Sequence, residues 1–408
     1  MNLLYLVHRI PYPPDKGDKI RSYHWLKALT EHHDVHLATF YDDPADLVHR
    51  GVLEKMCASV TMVELKPKLA RLRSLAAVVQ GGPLSLRYFE SSQMRKALVK
   101  LRSEQSIDVL LGYSAPMASY RRGFEELPMV MDMVDVDSAK FMSYGKSAKR
   151  PQRWVYALEG RRLAAYERRL ARELDAVILS TEPEAELLRE RVRDSGRKVR
   201  IEAITNGVEL PPESELREFL DSDSAEPRFV FVGAMDYYAN VDAVEFAARD
   251  ILPRLREKIP HAQFEIVGRY PTAAVQALGD LPGVTVHGGV PDVAPFLHRA
   301  VASLVPLRIA QGIQNKVLEA MAYGRPVVTH PRIVRSLGPG AEKVVLGADK
   351  AEDYARHLLD LWENVDRRSE LGRASRVFVQ ERFAWQPNYD RICDLIEDVS
   401  VNKQRQPA

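Results

Sequence analysis

A predicted strand, a glycine-containing loop and a helix follow one another between Val305 and Gly324. The helix is predicted over Ile313–Tyr323. The first turn of a helix exposes unpaired N–H groups and about half a positive charge, so it attracts phosphate. Gly312, just before the helix, would let a ligand approach the backbone closely. This arrangement predicts a phosphate-binding site at the start of the helix.

Polar side chains surround this predicted phosphate site. Arg308 and Lys316 would each add a full positive charge, and one cation about 4 Å from a phosphate gains roughly 4 kcal/mol at an effective dielectric near 20, before desolvation. Glu319 shares a helix face with Lys316, so it could accept hydrogen bonds from the two adjacent hydroxyls of a ribose. Gln311 and Asn315 complete the predicted donor-binding side chains. The alternative is a surface pair of Lys316 with Glu319, worth about 0.2–0.5 kcal/mol. The surrounding strand, loop and helix favour the nucleotide site.

A second group of candidate residues lies in the first half of the chain. Asp132 ends a predicted strand and Asp135 follows in a turn. Either carboxylate could orient an acceptor or take a proton from its hydroxyl, with helix capping as the alternative. Asp135 and Asp137 form an Asp-x-Asp pattern, but the nucleotide residues lie far along the chain, and we predict no metal. His8, just after the first strand, is a further candidate, and a core or loop histidine is its alternative.

The loop after the first predicted strand is basic and contains a glycine. Lys16 and Gly17 lie in this loop, and Arg21 lies at the start of a helix predicted to end near Thr30. Gly17, Arg21 and Lys16 are therefore candidate site residues. The alternative is a proline-rich surface loop with solvated charges.

Short β-branched runs alternate with longer amphipathic runs, a pattern that predicts parallel sheets with crossover helices. Seven strands are predicted in the first half and five in the second. They are Leu3–Val7, Val35–Phe40, Val60–Leu65, Val109–Gly112, Met129–Asp132, Ala176–Leu179, Arg200–Ile204, Arg228–Val232, Gln263–Val267, Val284–Val286, Val301–Pro306 and Pro326–Thr329.

A proline pair and an acidic Ser/Asp stretch separate the two sets of strands and indicate a linker. We therefore predict an α/β protein with two Rossmann-like domains facing a central cleft, where ligands of such sheets bind. The predicted segments are an N-terminal domain over 1–207, a linker over 208–227, a C-terminal nucleotide domain over 228–380, and a C-terminal helix and tail over 381–408 that packs back on the N-terminal domain.

The composition is that of a globular protein. The 408 residues are 46% hydrophobic and 28% charged, with a formal net charge of +2. No apolar stretch approaches the roughly 20 residues that span a bilayer, and the apolar start reaches His8 and Arg9 too early for a signal peptide. Cys57 and Cys393 lie too far apart in the sequence to suggest a metal or redox pair. We therefore expect a cytoplasmic protein.

Three segments carry a resemblance to a known family: Ser180–Glu182, Thr205–Glu209 and Gln311–Val328. They resemble, in order and separation, the motifs of retaining GT-B glycosyltransferases of the fourth sequence family. The resemblance implies transfer of a hexose from a nucleotide-diphosphate sugar, of the UDP or GDP type, to a hydroxyl acceptor, with no other cofactor. It also implies that the donor lies on the C-terminal domain and the acceptor on the N-terminal domain. In the related enzymes the loop after the first strand lies over the donor phosphates and the acceptor, which implies that Gly17 and Arg21 bind the donor and that Lys16 lies in this loop near the acceptor. A departing phosphate oxygen would then act as the base while protein carboxylates position the acceptor.

Two positions depart from the family pattern. Gln311 stands where the family usually has a glutamate, and a neutral amide cannot stabilise developing positive charge. The family's Arg and Lys after the first strand of the second domain are absent here, where Gly233 and Asn240 are the predicted donor-binding residues. Arg308 and Lys316 would supply the missing charge. A catalytically inactive scaffold of this fold and a nucleotide-sugar epimerase are the alternative functions.

Three further segments, Pro11–Arg21, Asp132–Ser138 and Gly233–Asn240, resemble exosortase/PEP-CTERM-associated exopolysaccharide sugar transferases, which implies a saccharide or lipid-linked acceptor. Residues 66–102 hold nine Lys and Arg but one acid, Glu90. They predict either contact with an anionic membrane surface, which would place the protein on the inner face of the cytoplasmic membrane, or an ordinary helix with a solvated face. The sequence contains no motif that is typical of nucleic-acid-binding proteins, and we predict no nucleic-acid partner.

Overall fold

The computed structural model describes residues 1–14, 17–147, 151–193, 199–212, 226–309 and 312–404. The chain divides into two compact units. Met1–Thr205 with Gln386–Ala408 forms the first unit, and Asn206–Trp385 forms the second unit.

The first unit contains a seven-stranded parallel sheet in the order β3-β2-β1-β4-β5-β6-β7. Its strands are β1 Asn2–Val7, β2 Asp34–Tyr41, β3 Ser59–Glu64, β4 Val109–Tyr113, β5 Met129–Val134, β6 Ala176–Leu179 and β7 Ile201–Ala203. All seven were predicted, because strands covered on both faces are nearly continuous apolar runs. In β1, five of the six residues are buried.

Helices connect these strands. They are α1 Gly17–Thr30, α2 Arg50–Met56, α3 Pro67–Gln80, α4 Leu84–Tyr88, α5 Ser92–Glu104, α6 Asp137–Ser147, α7 Gln152–Glu173 and α8 Glu182–Val192. The last helix of the chain, Gln386–Gln404, also belongs to this unit, where the Nδ1 atom of His24 on α1 lies 2.5 Å from the hydroxyl of Tyr389.

The second unit contains a six-stranded parallel sheet in the order β10-β9-β8-β11-β12-β13. Its strands are β8 Arg228–Val232, β9 Gln263–Val267, β10 Val284–Gly288, β11 Ala302–Val305, β12 Val327–Thr329 and β13 Leu346–Gly347. The sequence predicted the first five. It missed β13, because two residues are too short to show a strand pattern.

The described part of the second unit also contains α-helices. They are α9 Tyr238–Phe246, α10 Leu252–Arg256, α11 Ala273–Gln276, α12 Ala294–Arg299, α13 Asn315–Ala322, α14 Pro331–Ser336, α15 Ala351–Glu363 and α16 Val365–Arg382, and the helix of the tail, Gln386–Gln404, is α17. Each unit has its own apolar core, which includes Leu6 and Leu110 in the first and Phe231 and Leu304 in the second. The predicted class, α/β with two parallel sheets, is confirmed.

Candidate functional site

The predicted nucleotide residues lie at the point where the strand order of the second sheet changes direction. Strands β8 and β11 are neighbours there, and ligands of such sheets bind beyond the carboxyl ends of these strands. Gly233 follows β8 directly, and α13 begins at Asn315, after the loop that follows β11. The amide of Gln314, the residue before α13, lies 3.4 Å from the carbonyl oxygen of Gly312 and does not cap the helix. The N–H groups of the first turn of α13 therefore lack a cap from this side chain.

Lys316, Asn240 and Gly233 come together beside this helix start. The Lys316 ammonium donates a hydrogen bond to Asn240 Oδ1 at 2.9 Å, and Asn240 Nδ2 donates to the carbonyl oxygen of Ala234 at 2.8 Å. A Cβ atom on Gly233 would lie 2.9 Å from Asn240 Nδ2 and 3.1 Å from Lys316 Cε. The glycine therefore leaves the space that the lysine and the amide occupy. The Lys316 ammonium also lies 5.4 Å from the centroid of the Phe231 ring.

The local environment moves the pKa values of Lys316 and Glu319 toward neutrality. Burial lowers the pKa of Lys316 to about 8, and the nearby Glu319 carboxylate partly opposes this. Burial, followed by the negative charge of Asp292, raises the pKa of Glu319 to about 7, against the effect of Lys316. Both groups can therefore change charge between about pH 6 and 9, and an anion beside Lys316 would favour its charged form.

Arg308 is already paired with a carboxylate. Its guanidinium donates two hydrogen bonds to Asp242 on α9, at 2.7 and 3.2 Å, and lies 4.3 Å from the centroid of the Phe246 ring. Nothing in the local sequence pattern indicated Asp242 as its partner. Gly312 has a φ of 71°, a left-handed conformation that favours glycine. Gln311 lies outside the described residues.

Asn315, the first residue of α13, contacts a residue that we did not include among the predicted site residues. Its Oδ1 atom accepts a hydrogen bond of 2.9 Å from Nδ2 of the buried Asn206. Asn206 lies in the Thr205–Glu209 segment that carries part of the family resemblance, and this was the available signal. The contact ties the start of α13 to the first residues of the second unit.

In the first unit, Asp132 and Arg21 form a fully buried pair. The Asp132 carboxylate accepts hydrogen bonds from Arg21 Nε at 2.7 Å, from Trp25 Nε1 at 2.6 Å and from the backbone N–H of Val134 at 2.9 Å. Asp132 and Arg21 both have 0% exposure. Both residues therefore lie in the interior of the unit and not at its surface. Two charged side chains can be buried there because they form an ion pair with each other.

Asp135 lies at the carboxyl end of β5 with other acidic residues. Ser180 Oγ donates to Asp135 Oδ1 at 3.2 Å and also contacts Glu184 at 3.4 Å. Burial and the Asp135 carboxylate raise the pKa of Glu184 above its usual range. Burial raises the pKa of Asp137 to about 6, and Asp135 adds to this. Glu184 and Asp137 therefore hold protons more tightly than exposed carboxyl groups do.

The remaining predicted residues lie near the same edge or outside the described part. His8 follows β1 and stacks on Tyr113, with ring centroids 5.7 Å apart, and it contacts the edge of the Phe89 ring at 5.4 Å. Gly17 is the first residue of α1. Lys16 lies outside the described residues.

Two family models match the chain. A glycosyl transferase 4-like domain matches residues 19–207, and a domain described as glycosyl transferases group 1 matches residues 226–364. Together the two models cover most of both units. The chain belongs to the group 1 glycosyltransferases. No curated protein matches this glycosyltransferase in sequence.

Solved structures resemble this glycosyltransferase over nearly its whole length. Sucrose-phosphate synthase from Thermosynechococcus elongatus has a TM-score of 0.69 at 18% identity, covering 98% of this chain and 99% of its own. WaaG, a glycosyltransferase involved in lipopolysaccharide biosynthesis, has a TM-score of 0.63 at 16% identity, covering 97% of this chain and 99% of its own. HepE from Anabaena, solved with UDP and glucose, has a TM-score of 0.62 at 12% identity, covering 97% of this chain and 99% of its own. At these identities the likeness establishes the GT-B fold.

In the described part of this glycosyltransferase, no three His, Cys, Asp or Glu side chains are grouped as metal ligands would be. None of the helices there has the length and apolar character needed to cross a membrane.

Proposed function

We propose that this glycosyltransferase moves a sugar from a nucleoside diphosphate sugar to a hydroxyl acceptor with retention at the anomeric carbon. The observation that carries the proposal is the position of Lys316, beside Gly233 and in the first turn of α13. The helix N-terminus and the ammonium would bind the diphosphate. Glu319, one helical turn further on, would accept hydrogen bonds from the ribose hydroxyls.

The donor nucleotide that we propose to test first is UDP, with GDP as the alternative. Solved structures of HepE from Anabaena contain UDP, UDP with glucose, and UDP-glucose. The nucleotide sugar is a co-substrate in this proposal.

The chemical step breaks the bond between the anomeric carbon and the diphosphate oxygen, and the electron pair leaves with the diphosphate. The acceptor oxygen bonds to the same face of the anomeric carbon, and its proton goes to a phosphate oxygen of the leaving group. Lys316 would stabilise the charge that develops on that group, an interaction that strengthens as the bond breaks. Gly312 and Asn315 would line the donor, and Gln311 would contact its sugar through hydrogen bonds.

We assign the acceptor to the first unit. Asp135 lies at the carboxyl end of the sheet there and is the carboxylate that we propose to orient the acceptor hydroxyl, with His8 and Lys16 as further contacts. Asp132 acts indirectly, since its carboxylate is engaged by Arg21 and Trp25.

The acceptor that we propose is an exopolysaccharide saccharide or its lipid-linked form, at the inner face of the cytoplasmic membrane. Within residues 66–102, four of the five cations of α4 and α5 pair with carboxylates: Arg87 and Arg95 with Glu90, Lys100 with Glu104, and Arg102 with Glu126. The cations of α3 differ. Among the described residues, no carboxylate lies within ion-pair distance of Lys68, Arg71 or Arg73. We therefore propose α3 as the part of this stretch that meets anionic lipid.

Calorimetric titration with UDP and with GDP tests the donor site. Lys316→Ala and Glu319→Ala should each weaken nucleotide binding by about tenfold or more. Lys343→Ala, which removes an exposed lysine of the same unit, is the matched control and should bind as the unmodified protein does. Equal binding by all three variants would show that the nucleotide does not occupy the start of α13.

A product assay separates transfer from the other functions. The donor is incubated with and without a saccharide acceptor, and the products are followed by NMR. Transfer requires acceptor and retains the anomeric configuration. An epimeric donor formed without acceptor would identify an epimerase, and no binding of either nucleotide would identify an inactive scaffold.

A further inference from the structure

Helix α7 exposes an apolar surface in its first two turns. Trp154 is 65% exposed, Val155 49% and Leu158 37%. Residues at these spacings lie on one face of a helix. An exposed tryptophan beside two exposed aliphatic residues is a contiguous apolar patch, and such a patch on a globular protein marks a contact surface.

This patch lies at the far end of a helical hairpin formed by α6 and α7. Ser138, four residues after the end of β5, donates two hydrogen bonds to Glu167 of α7, at 2.8 and 2.5 Å. Gln152, the first residue of α7, comes 15 residues before Glu167, which corresponds to about 22 Å of helix. The first turns of α7 therefore project well beyond the carboxyl end of β5.

The hairpin is closely packed. A Cβ atom on Gly160 would lie 2.9 Å from Met142 Cγ and 3.1 Å from the carbonyl oxygen of Ser138, so only glycine allows the two helices to approach this closely. Phe141 of α6 and Tyr156 of α7 add an aromatic contact with ring centroids 6.0 Å apart. The apolar patch is therefore presented by a packed element.

The charge around the patch is positive. Arg153 precedes it, and Arg161 and Arg168 continue the exposed face of α7. Among the described residues, no carboxylate lies within ion-pair distance of these three side chains. The acidic residues Glu159 and Glu167 on the same helix are buried. A patch of this kind, apolar with an arginine border, complements an anionic lipid surface, where the apolar side chains enter the interface and the arginines meet headgroup phosphates.

The hairpin is also bonded to the connection between α3 and α4. Arg162 donates to the carbonyl oxygen of Gly82 at 3.1 Å, and the Glu159 carboxylate accepts from the backbone N–H groups of Leu84 and Ser85 at 2.8 and 3.0 Å. The α3–α4 connection and the start of α4 are thus held against the hairpin.

We propose that the end of the α6–α7 hairpin docks on an anionic lipid bilayer, with Trp154, Val155 and Leu158 in the interface. This inference deepens the proposed function, because it names the surface through which the enzyme would reach a lipid-linked acceptor. The reason for membrane contact comes from the proposed function, and the evidence for this surface is the exposed apolar patch.

Vesicle flotation tests the docking. The unmodified protein should float with phosphatidylcholine vesicles that contain 30% phosphatidylglycerol, roughly tenfold more than with pure phosphatidylcholine. The double variant Trp154→Ser with Leu158→Ser should bind the anionic vesicles at least tenfold less than the unmodified protein does. Val377→Ser, which removes an exposed apolar side chain of α16, is the matched control and should partition normally. Circular dichroism checks that each variant is folded.

Tryptophan fluorescence provides a second measurement on a milder variant. Emission of the unmodified protein should shift to shorter wavelength with anionic vesicles, because Trp154 leaves water. Trp154→Phe should still float but lose this shift. Equal flotation of the double variant, or equal flotation on neutral vesicles, would overturn the proposal. A concentration-dependent dimer that occupies the patch in the absence of vesicles would also overturn it.

UDP titration of the same variants separates the two proposals. The double variant should bind UDP as the unmodified protein does, because its substitutions lie in the other unit from Lys316. Loss of flotation with normal UDP binding supports the docking surface. Absence of UDP and GDP binding in the unmodified protein would contradict the donor site and leave the flotation result standing.

Discussion

Raising the pH from 7 to 9 should weaken nucleotide diphosphate binding through the loss of one proton from Lys316. Burial lowers the pKa of this ammonium to about 8. The charged form is the form that binds phosphate, and it is lost as the pH rises through the pKa. An exposed lysine, with a pKa of about 10.4, would remain charged over this range.

The expected size of the effect follows from this pKa. About nine-tenths of the Lys316 side chains are charged at pH 7 and about one-tenth at pH 9, and the apparent affinity falls with the competent fraction. The dissociation constant should therefore rise about tenfold, or about 1.4 kcal/mol. Glu319, with a pKa of about 7, gains at most about a factor of two in its ionised fraction over the same range. The loss from Lys316 is therefore the larger effect.

Calorimetric titration of UDP at constant ionic strength between pH 7 and 9 measures this change. The Lys316→Ala variant should bind weakly at pH 7 and lose no further affinity by pH 9. The Lys343→Ala control should follow the unmodified protein. Parallel pH profiles for the unmodified protein and Lys316→Ala would refute the reasoning, because the titrating group would then be elsewhere.

Two further predictions concern the first unit. Asp132→Ala should lower the free energy of unfolding by about 3–5 kcal/mol, because it removes the carboxylate that pairs with the buried Arg21 guanidinium; urea unfolding measures this, and a loss below about 1 kcal/mol would contradict it. Glu184→Gln should reduce the dependence of stability on pH. The pKa of Glu184 is raised on folding, so the folded state binds a proton more tightly than the unfolded state does. The free energy of unfolding therefore falls as the pH rises from the usual carboxyl range toward neutrality. Thermal unfolding at pH 5 and 7.5 should show a smaller decrease for this variant, and an equal decrease would contradict the assignment to Glu184.

The sequence by itself predicted every described strand of both sheets except β13. Apolar runs with the period of strands, separated by amphipathic segments, specify parallel strands and crossover helices, because each element must bury its own apolar residues. The sequence also placed Lys316 and Glu319 on one face of one helix, since their spacing is a local property. The sequence analysis missed strand β13, because two residues are too few to show the apolar pattern of a strand.

The tertiary structure decided which charged side chains remain available. Arg308 pairs with Asp242, 66 residues away, and Asp132 with Arg21, 111 residues away. Both pairs are invisible in the local pattern, because a salt bridge depends on where distant elements pack and not on neighbouring residues. The same packing placed the partly buried Lys316 beside Phe231 and brought Asn240 to its ammonium. A sequence specifies which residues can carry charge, but the folded chain sets their partners, because contact and burial are properties of the packed structure.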